Sequence, residues 1–321
     1  MANTNPPFIV VGIDGTSSSS WRKPDGSNSH VYRFVHDFQY GAMGIDKLYL
    51  DGPSDVVSGR DSEPILQKAL DFISLRLKAL FPALPSAPGH PVHTMEMFDV
   101  NSCVQTQYYQ QQYYGNEYGG ISVQTGSSVR MPMQVNAGML AHQPLGTDQV
   151  RVVLVGHSRG GLVATVLARM LSPVVRVYFL GLYDAVGREP CLDGSTIENA
   201  KIVFHARRSP DVGSRGMFGN TATQHRVDHY EESYFYTSHG GIGGDFVADP
   251  KAVSMFGDSS CTARPDSRIV NTGRGGPMII DNRHPLTKRF NKPIEQICAE
   301  GRDASDAFIR NGARRFGLPI S

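Results

Sequence analysis

The sequence lacks any long run of apolar residues, and this absence excludes several classes of protein. No stretch of its 321 residues approaches the ~18 consecutive apolar residues of a membrane-spanning helix. The N-terminus has no basic region, and the apolar stretch Phe8 to Gly12 is too short for the hydrophobic part of a signal peptide. We therefore expect no transmembrane segment and a cytoplasmic location in the producing cell, with any secretion following a route that needs no signal peptide.

Cysteine is scarce and charge is balanced. The 4 cysteines lie far apart with no Cys-x-x-Cys pair, which excludes a small disulfide scaffold and the usual zinc ribbons. Lys and Arg number 31 against 30 Asp and Glu, so no overall electrostatic field would attract nucleic acid. A Walker loop is missing, and the glycines from Gly240 to Gly244 do not follow a strand and open a helix, as a dinucleotide site requires. We predict neither a nucleic-acid partner nor a cofactor.

The chain does contain the alternating segments of an α/β protein. Phe8 to Gly12 and Arg151 to Val155 are short apolar runs, typical of strands buried on both faces of a parallel sheet. Helical periodicity marks His30 to Phe38 and Ser62 to Leu80. Further strands are predicted at Lys47 to Leu50, Val174 to Leu182 and Lys201 to His205, and a last helix at Ile294 to Phe316. We predict an α/β fold with a mostly parallel central sheet flanked by helices, in a single domain over residues 1–321.

Regular periodicity fades between residues 82 and 148, which we interpret as an insertion or lid within the domain. A strand is predicted there at Val92 to Val100, followed by a tyrosine cluster from Tyr108 to Tyr118 that holds no Lys or Arg. Tyrosine combines an apolar body with a polar tip and suits a lipid–water boundary. We therefore predict that Tyr113 and Tyr114 bind aggregated substrate, and packing against the sheet is the alternative.

A nucleophile elbow is the sharpest chemical signal. Gly156-His157-Ser158-Arg159-Gly160 lies between an apolar strand and an amphipathic helix, the setting in which a tight turn exposes a serine hydroxyl. The backbone N–H of Arg159, at a helix N-terminus, would stabilise an oxyanion. Strand, motif and helix together predict an α/β-hydrolase with Ser158 as its nucleophile.

The serine needs a histidine and an acid, which follow it in α/β-hydrolases in the order Ser, Asp or Glu, His. Asp184 and Asp211 each come after a predicted strand, and both stay open as the acid because ligand chemistry gathers at the carboxyl ends of strands. For the base we prefer His239, in a Gly-rich loop late in the chain, over three other histidines: His205, His225 and His229.

The first strand ends in Gly12-Ile-Asp14-Gly15-Thr16, where a second oxyanion donor is expected. We predict that Gly15 or Thr16 provides it, since glycine permits close backbone approach. The same letters resemble the Asp-x-Asp-Gly-Thr motif of haloacid-dehalogenase phosphatases. Gly12 stands where those enzymes have the nucleophilic aspartate, so an aspartyl-phosphate mechanism is discounted.

His225-Arg-Val-Asp-His229 would place two imidazoles on one helical turn, the i, i+4 spacing that suits a metal. The segment lacks the Glu of His-Glu-x-x-His. A solvated polar helix face is therefore the preferred interpretation, and no metal is expected.

Several segments, in order, resemble the α/β-hydrolase domain of bacterial type VI secretion phospholipase effectors of the first lipase class and its related uncharacterised family. The opening Ile-Asp-Gly-Thr is similar to its Asp-Gly-Thr strand end, and the elbow to its Gly-Phe-Ser-Arg-Gly, with His157 for Phe. Three later blocks also match: Phe179 to Gly187, Tyr234 to Gly244 and Ala313 to Leu318. His205 to Asp211 resembles a His-Ala segment that leads to an Asp near arginines.

The resemblance implies Asp184 as the acid and a serine esterase that cleaves acyl esters of phospholipids, with a cognate immunity protein and a secretion spike as partners. A carboxylesterase or thioesterase on small soluble esters would have the same fold and triad. A third alternative is an inactive binding module, because Gly241 stands where the family has an Asp after the histidine. Asp245 is the candidate substitute for that carboxylate.

Overall fold

The computed structural model describes the following parts of the chain: residues 6–16, 29–39, 45–54, 62–82, 91–95, 133–136, 144–187, 192–212, 220–244, 267–271, 277–281 and 285–321. The strands are β1 (Phe8–Ile13), β2 (Ile45–Leu50), β3 (Pro91–Met95), β4 (Met133–Asn136), β5 (Arg151–His157), β6 (Val177–Tyr183), β7 (Thr196–Ile197), β8 (Ala200–Arg208), β9 (Gln224–His225), β10 (His229–Phe235), β11 (Ser267–Asn271) and β12 (Pro277–Asp281). The helices are α1 (His30–Asp37), α2 (Ser62–Leu80), α3 (Arg159–Met170), α4 (His239–Ile242), α5 (Pro285–Phe290) and α6 (Ile294–Arg315).

A six-stranded sheet in the order β10-β8-β6-β5-β1-β2 forms the centre of the fold. Each neighbouring pair in this sheet runs parallel. The central strands β1 and β6 are buried along their whole length, as their uninterrupted apolar sequences predict. Because all six strands run the same way, their carboxyl ends lie at one edge of the sheet.

Two apolar cores lie on the two faces of this sheet. Alternate residues of β1 point to opposite faces, so Ile9 and Val11 join the core under α2 and α3, whereas Phe8 and Val10 join the core under α1 and α6. The α6 side is rich in stacked aromatic rings, such as those of Phe179 and Phe204. The layers are therefore helix, sheet and helix, which confirms the predicted α/β class.

The strand order changes direction between β1 and β5. From β1 the chain proceeds outward to β2, and from β5 it proceeds outward the other way to β6 and β8. In parallel α/β sheets the carboxyl edge at such a reversal is a crevice where ligands bind. Asp14 follows β1 and Ser158 follows β5, so both lie at this point.

The predicted strands and helices of the sheet layers are confirmed, with bounds that differ by a few residues. The strand predicted at Val92 to Val100 is found at Pro91–Met95, paired antiparallel with Met133–Asn136, and residues 96–100 lie outside the described part. Both strands belong to the segment 82–148, whose role as an insertion or lid stays a prediction.

Two local predictions are wrong. His225 and His229 do not share a helical turn, because His225 ends β9 and His229 begins β10. The His225 ring stacks on Tyr230 with centroids 4.0 Å apart, while the His229 ring contacts Phe316. His239 does not lie in a loop but begins the short helix α4, since Ser238 caps the helix by accepting a hydrogen bond from the Gly241 N–H at 3.0 Å.

Cys298, buried on α6, is disulfide-bonded, and the other three cysteines lie outside the described residues. Among the helices of the described ranges, none combines the length and the apolar character that crossing a bilayer demands.

Candidate active site

Ser158 occupies a strained turn between β5 and α3. Its backbone angles are φ 57° and ψ −127°, a conformation that residues with a side chain rarely adopt. The turn brings backbone close to backbone on both sides: a Cβ on Gly156 would lie 2.4 Å from the Gly160 carbonyl oxygen, and one on Gly160 would lie 2.2 Å from that of Ile13. Glycine is therefore required at both flanking positions, which is the physical basis of the Gly-x-Ser-x-Gly pattern.

Three side chains from the carboxyl edge form one hydrogen-bonded chain. The Ser158 hydroxyl lies 2.8 Å from Nε2 of His239, and Nδ1 of the same ring lies 2.6 Å from Oδ2 of Asp184. An ionised carboxylate only accepts, so Nδ1 carries a proton that it donates to Asp184, and Nε2 is left to accept the serine proton. Ser158, His239 and Asp184 are 5%, 3% and 0% exposed, which shields the chain of bonds from water.

Asp184 accepts hydrogen bonds from two neighbours. It follows β6 with a φ of 47°, and besides His239 its Oδ2 contacts Nη1 of Arg208, while the Arg208 N–H lies 3.4 Å from Oδ1. Burial alone would raise the pKa of Asp184. The hydrogen bond and charge of His239, together with those of Arg208, outweigh burial and hold this pKa well below its ordinary range. Asp184 is therefore a carboxylate near neutral pH.

The short helix α4 holds His239 in place through contacts with two other elements. His157, the last residue of β5, donates Nε2–H to the His239 carbonyl oxygen at 3.1 Å. His30, the first residue of α1, donates Nδ1–H to the Ile242 carbonyl at 2.9 Å, and its own N–H bonds the Gly243 carbonyl at 2.9 Å. Hydrogen bonds thus connect the start of α4 to β5 and its end to α1.

Asp14 and His157 form a buried polar layer behind the candidate triad. The Asp14 carboxylate accepts from the hydroxyl groups of Ser29 and Tyr49 and from the Gly15 N–H, the latter two at 2.7 Å. Its burial raises its pKa to about 6, despite these hydrogen bonds. Nδ1 of His157 lies 3.9 Å from Asp14 Oδ1.

His157 is neutral and tightly enclosed. Burial, and then the nearby charge of His239, lower its pKa well below the ordinary value. A Cβ on Gly15 would lie 2.4 Å from its ring, and a Cβ on Gly243 would lie 2.3 Å from it. Both glycines therefore make room for an imidazole at position 157, whose centroid lies 4.9 Å from that of the His239 ring.

The predicted oxyanion donors are only partly placed as expected. Arg159 opens α3, so its N–H lies at the positive end of a helix beside Ser158. Its side chain donates Nε–H to Oγ1 of Thr16 at 2.9 Å, which brings Thr16 to the same site. The Gly15 N–H donates to Oδ1 of its neighbour Asp14 at 2.7 Å, and its role as an oxyanion donor stays a prediction.

The alternative acid Asp211 is not part of this constellation. It lies in a short 3₁₀ turn, Pro210–Val212, where its side chain is 56% exposed and pairs with Nη1 of Arg289 at 3.5 Å. His205 is buried inside β8 and accepts the Ala185 N–H at 3.3 Å through Nε2. Burial lowers the pKa of His205 to about 3, so it is a neutral structural group.

Gly241, where the effector family that the sequence resembles has an aspartate, lies close against Thr237. A Cβ at this position would lie 2.1 Å from Oγ1 of Thr237. Asp245, Tyr113 and Tyr114 lie outside the described residues, so their predicted roles stay predictions. Within the described ranges no three His, Cys, Asp or Glu side chains are grouped as metal ligands would be.

Sequence reasoning missed Arg208 as a member of the site and the joint role of Asp14 and His157. Arg208 was visible only as one of two adjacent arginines at the end of a predicted strand. His157 stands where the effector family that the sequence resembles has Phe, and a polar residue at that buried position was the available signal.

No family model matches this chain, and no curated protein matches it significantly. Among solved structures, an uncharacterized protein from Pseudomonas aeruginosa aligns with 97% of this chain at 15% identity and a TM-score of 0.45. The Tle1 effector, solved bound to the VgrG spike of the type 6 secretion system, aligns with 78% at 13% identity and a TM-score of 0.32. The aligned part is 53% of each of these proteins, so this chain spans about half their length. Likenesses this distant carry no argument about function.

Proposed function

We propose that this protein is a serine hydrolase that cleaves acyl esters through a covalent acyl-enzyme. The observation that carries the proposal is the bonded chain from Ser158 through His239 to Asp184, with its serine at a strained strand-to-helix turn. Nucleophile, base and orienting acid lie within direct hydrogen-bond reach of one another, which is the geometry that acyl transfer needs.

In the proposed reaction the Ser158 hydroxyl oxygen attacks the ester carbonyl carbon, and its proton passes to Nε2 of His239. Asp184 stabilises the imidazolium that forms. The oxyanion is held by the Arg159 N–H and by Thr16, since the Gly15 N–H is engaged by Asp14. Collapse of the tetrahedral intermediate expels the alcohol, which takes the proton from His239. Water then attacks the acyl-serine by the same route, releasing the acid and restoring the enzyme.

The substrate class we favour is the phospholipid acyl ester, which rests on the sequence resemblance to the phospholipase effectors. The same resemblance supports delivery as an antibacterial effector by a type VI spike and neutralisation by an immunity protein in the producer. The disulfide at Cys298 is in keeping with action in an oxidising compartment, where such bonds persist.

A small-ester carboxylesterase or thioesterase is the second candidate, because the same site chemistry serves it. The inactive-module alternative draws support from Gly241. However, no other described part of the site needs a carboxylate there, since Nδ1 of His239 already has Asp184 as its acceptor.

The test compares purified wild type with Ser158→Ala on defined phospholipid vesicles and on short-chain soluble esters. Ser172→Ala, an exposed serine just beyond α3, is the matched control. We expect hydrolysis by wild type and the control, none by Ser158→Ala, and faster turnover of vesicles than of soluble esters. Near-wild-type turnover by folded Ser158→Ala would refute the serine mechanism, and hydrolysis of soluble esters alone would favour the second candidate.

A further inference from the structure

The carboxylate of Asp184 accepts from two partners through one oxygen. Oδ2 accepts from Nδ1 of His239 at 2.6 Å and also contacts Nη1 of Arg208. Arg208 is the last residue of β8, the strand next to β6, and its side chain is only 10% exposed. A guanidinium does not lose its proton in proteins, so this positive charge is permanent.

A permanent cation on Asp184 has two consequences for His239. It restrains the carboxylate, because two donors from different strands and helices fix its orientation. It also offsets the negative charge that attracts a proton to the imidazole, and this offset is strong because the group is shielded from water.

We propose that Arg208 is a positioning residue that acts through Asp184, holding the carboxylate on Nδ1 of His239 and offsetting its negative charge beside the imidazole. The inference rests on the proposed function, since it concerns the same serine, histidine and aspartate. It predicts a hydrolase that stays active further into the acidic range than a triad without the arginine would.

Other charged or titratable groups lie on the elements around α4 and Asp184. Among the described residues these are His157 of β5 with Asp14 behind it, His30 of α1, Tyr234 of β10, and Arg302 and Asp306 of α6. Burial lowers the pKa of His157, and it lowers that of His30 to about 4, so both rings are neutral near pH 7. Arg208 differs from all of them because it is a fixed cation in direct contact with Asp184.

The experiment measures the rate at which a fluorophosphonate labels Ser158 as a function of pH. The variants are Arg208→Gln, which removes the charge, and Arg208→Lys, which keeps it. Arg289→Gln is the control, because Arg289 forms an exposed pair with Asp211. In Arg208→Gln we expect the acidic limb of the profile to move up by about one pH unit, the scale of losing one nearby charge of the same sign as the imidazolium. Arg208→Lys and Arg289→Gln should keep the wild-type limb.

An unmoved limb in folded Arg208→Gln would overturn the inference, and so would an equal shift in Arg208→Lys. If the glutamine variant does not fold, the lysine variant decides alone, since a shifted limb with the charge intact contradicts the account and an unmoved limb supports it. Failure of the proposed function looks different: wild type would then not be labelled at Ser158 at any pH.

Discussion

Two aspartate–arginine pairs have opposite surroundings. Asp184 follows β6 and is buried, and Arg208 ends β8 with a side chain 10% exposed, both at the carboxyl edge of the sheet. Asp211 and Arg289 have side chains 56% and 59% exposed, 3.5 Å apart. The chemistry of the two pairs is the same. What differs is that only Asp184 lies against His239, so position at the strand edge rather than residue type distinguishes the proposed acid.

Because the two ion pairs differ in solvent shielding, they also differ in how strongly a substitution affects stability. Exposed ion pairs are screened by water and contribute at most about 1 kcal/mol, because two long side chains lose freedom for little attraction. A buried pair must satisfy both charges, and removing one partner leaves the other uncompensated at a cost of about 3 to 5 kcal/mol. The buried pair is therefore sensitive to substitution in a way that the exposed pair is not.

The largest expected effect comes from replacing each of the two aspartates in turn with asparagine. Asp184→Asn should lower kcat by roughly 10⁴, since the amide no longer selects the His239 tautomer that accepts the serine proton. Asp211→Asn should leave kcat within about twofold, as a surface substitution away from the site does. The measurement is steady-state ester hydrolysis with thermal unfolding of each variant. The reverse ranking would move the acid role to Asp211.

The second prediction extends the buried side of the comparison to His157. His157→Phe keeps an aromatic ring between Gly15 and Gly243 but loses the hydrogen bond to the His239 carbonyl. We expect kcat to fall about tenfold, the equivalent of one hydrogen bond of about 1.4 kcal/mol. His157→Gln, whose amide can donate from a similar position, should recover part of the loss. If the phenylalanine and glutamine variants lose activity equally, the hydrogen bond is not what positions His239.

Much of the fold and of the candidate site could be predicted from the sequence, because the causes of those features are local. Apolar runs predict the buried strands, and the close backbone approaches at Gly156 and Gly160 leave a recognisable spacing around Ser158. The partners of Asp184 could not be predicted in the same way. They depend on which strands are neighbours in the sheet, and Arg208 reaches Asp184 only because β8 pairs with β6.

The histidines show the same limit on prediction from the sequence. His225 and His229 have a spacing that suits a helix, but the chain places them in successive strands, where they contact different aromatic rings. His239 was identifiable by its place late in the chain, whereas the support it receives from His157 and His30 comes from residues far away in sequence.

The third prediction concerns stability and pH at Asp14. Its pKa is raised from 3.8 to about 6 by burial, so the folded protein binds this proton more tightly than the unfolded chain does. Folding stability from this group is therefore greatest below pH 3.8 and falls as pH rises towards about 6. The melting temperature of wild type relative to Asp14→Asn should be higher at about pH 4.5 than at about pH 7, by a few degrees. A melting-temperature difference that stays constant or reverses between these pH values would show that burial does not dominate the pKa of Asp14.

The smallest expected effect lies at the exposed pair. Arg289→Gln should change the free energy of unfolding by less than about 1 kcal/mol. High salt should lower the stability of this variant little further. Urea unfolding of this variant beside Arg208→Gln makes the comparison direct. A loss at Arg289 as large as that at Arg208 would mean that solvent exposure does not separate the two pairs.

The account's central claim is that Ser158, activated by His239 and Asp184, is the nucleophile. Its most direct test is mass-spectrometric mapping of the fluorophosphonate adduct on wild type, Asp184→Asn and Asp211→Asn. We predict one adduct, on the peptide that contains Ser158, formed at the wild-type rate in Asp211→Asn and far more slowly in Asp184→Asn. An adduct on a different residue, or equal labelling rates in the two aspartate variants, would contradict the claim.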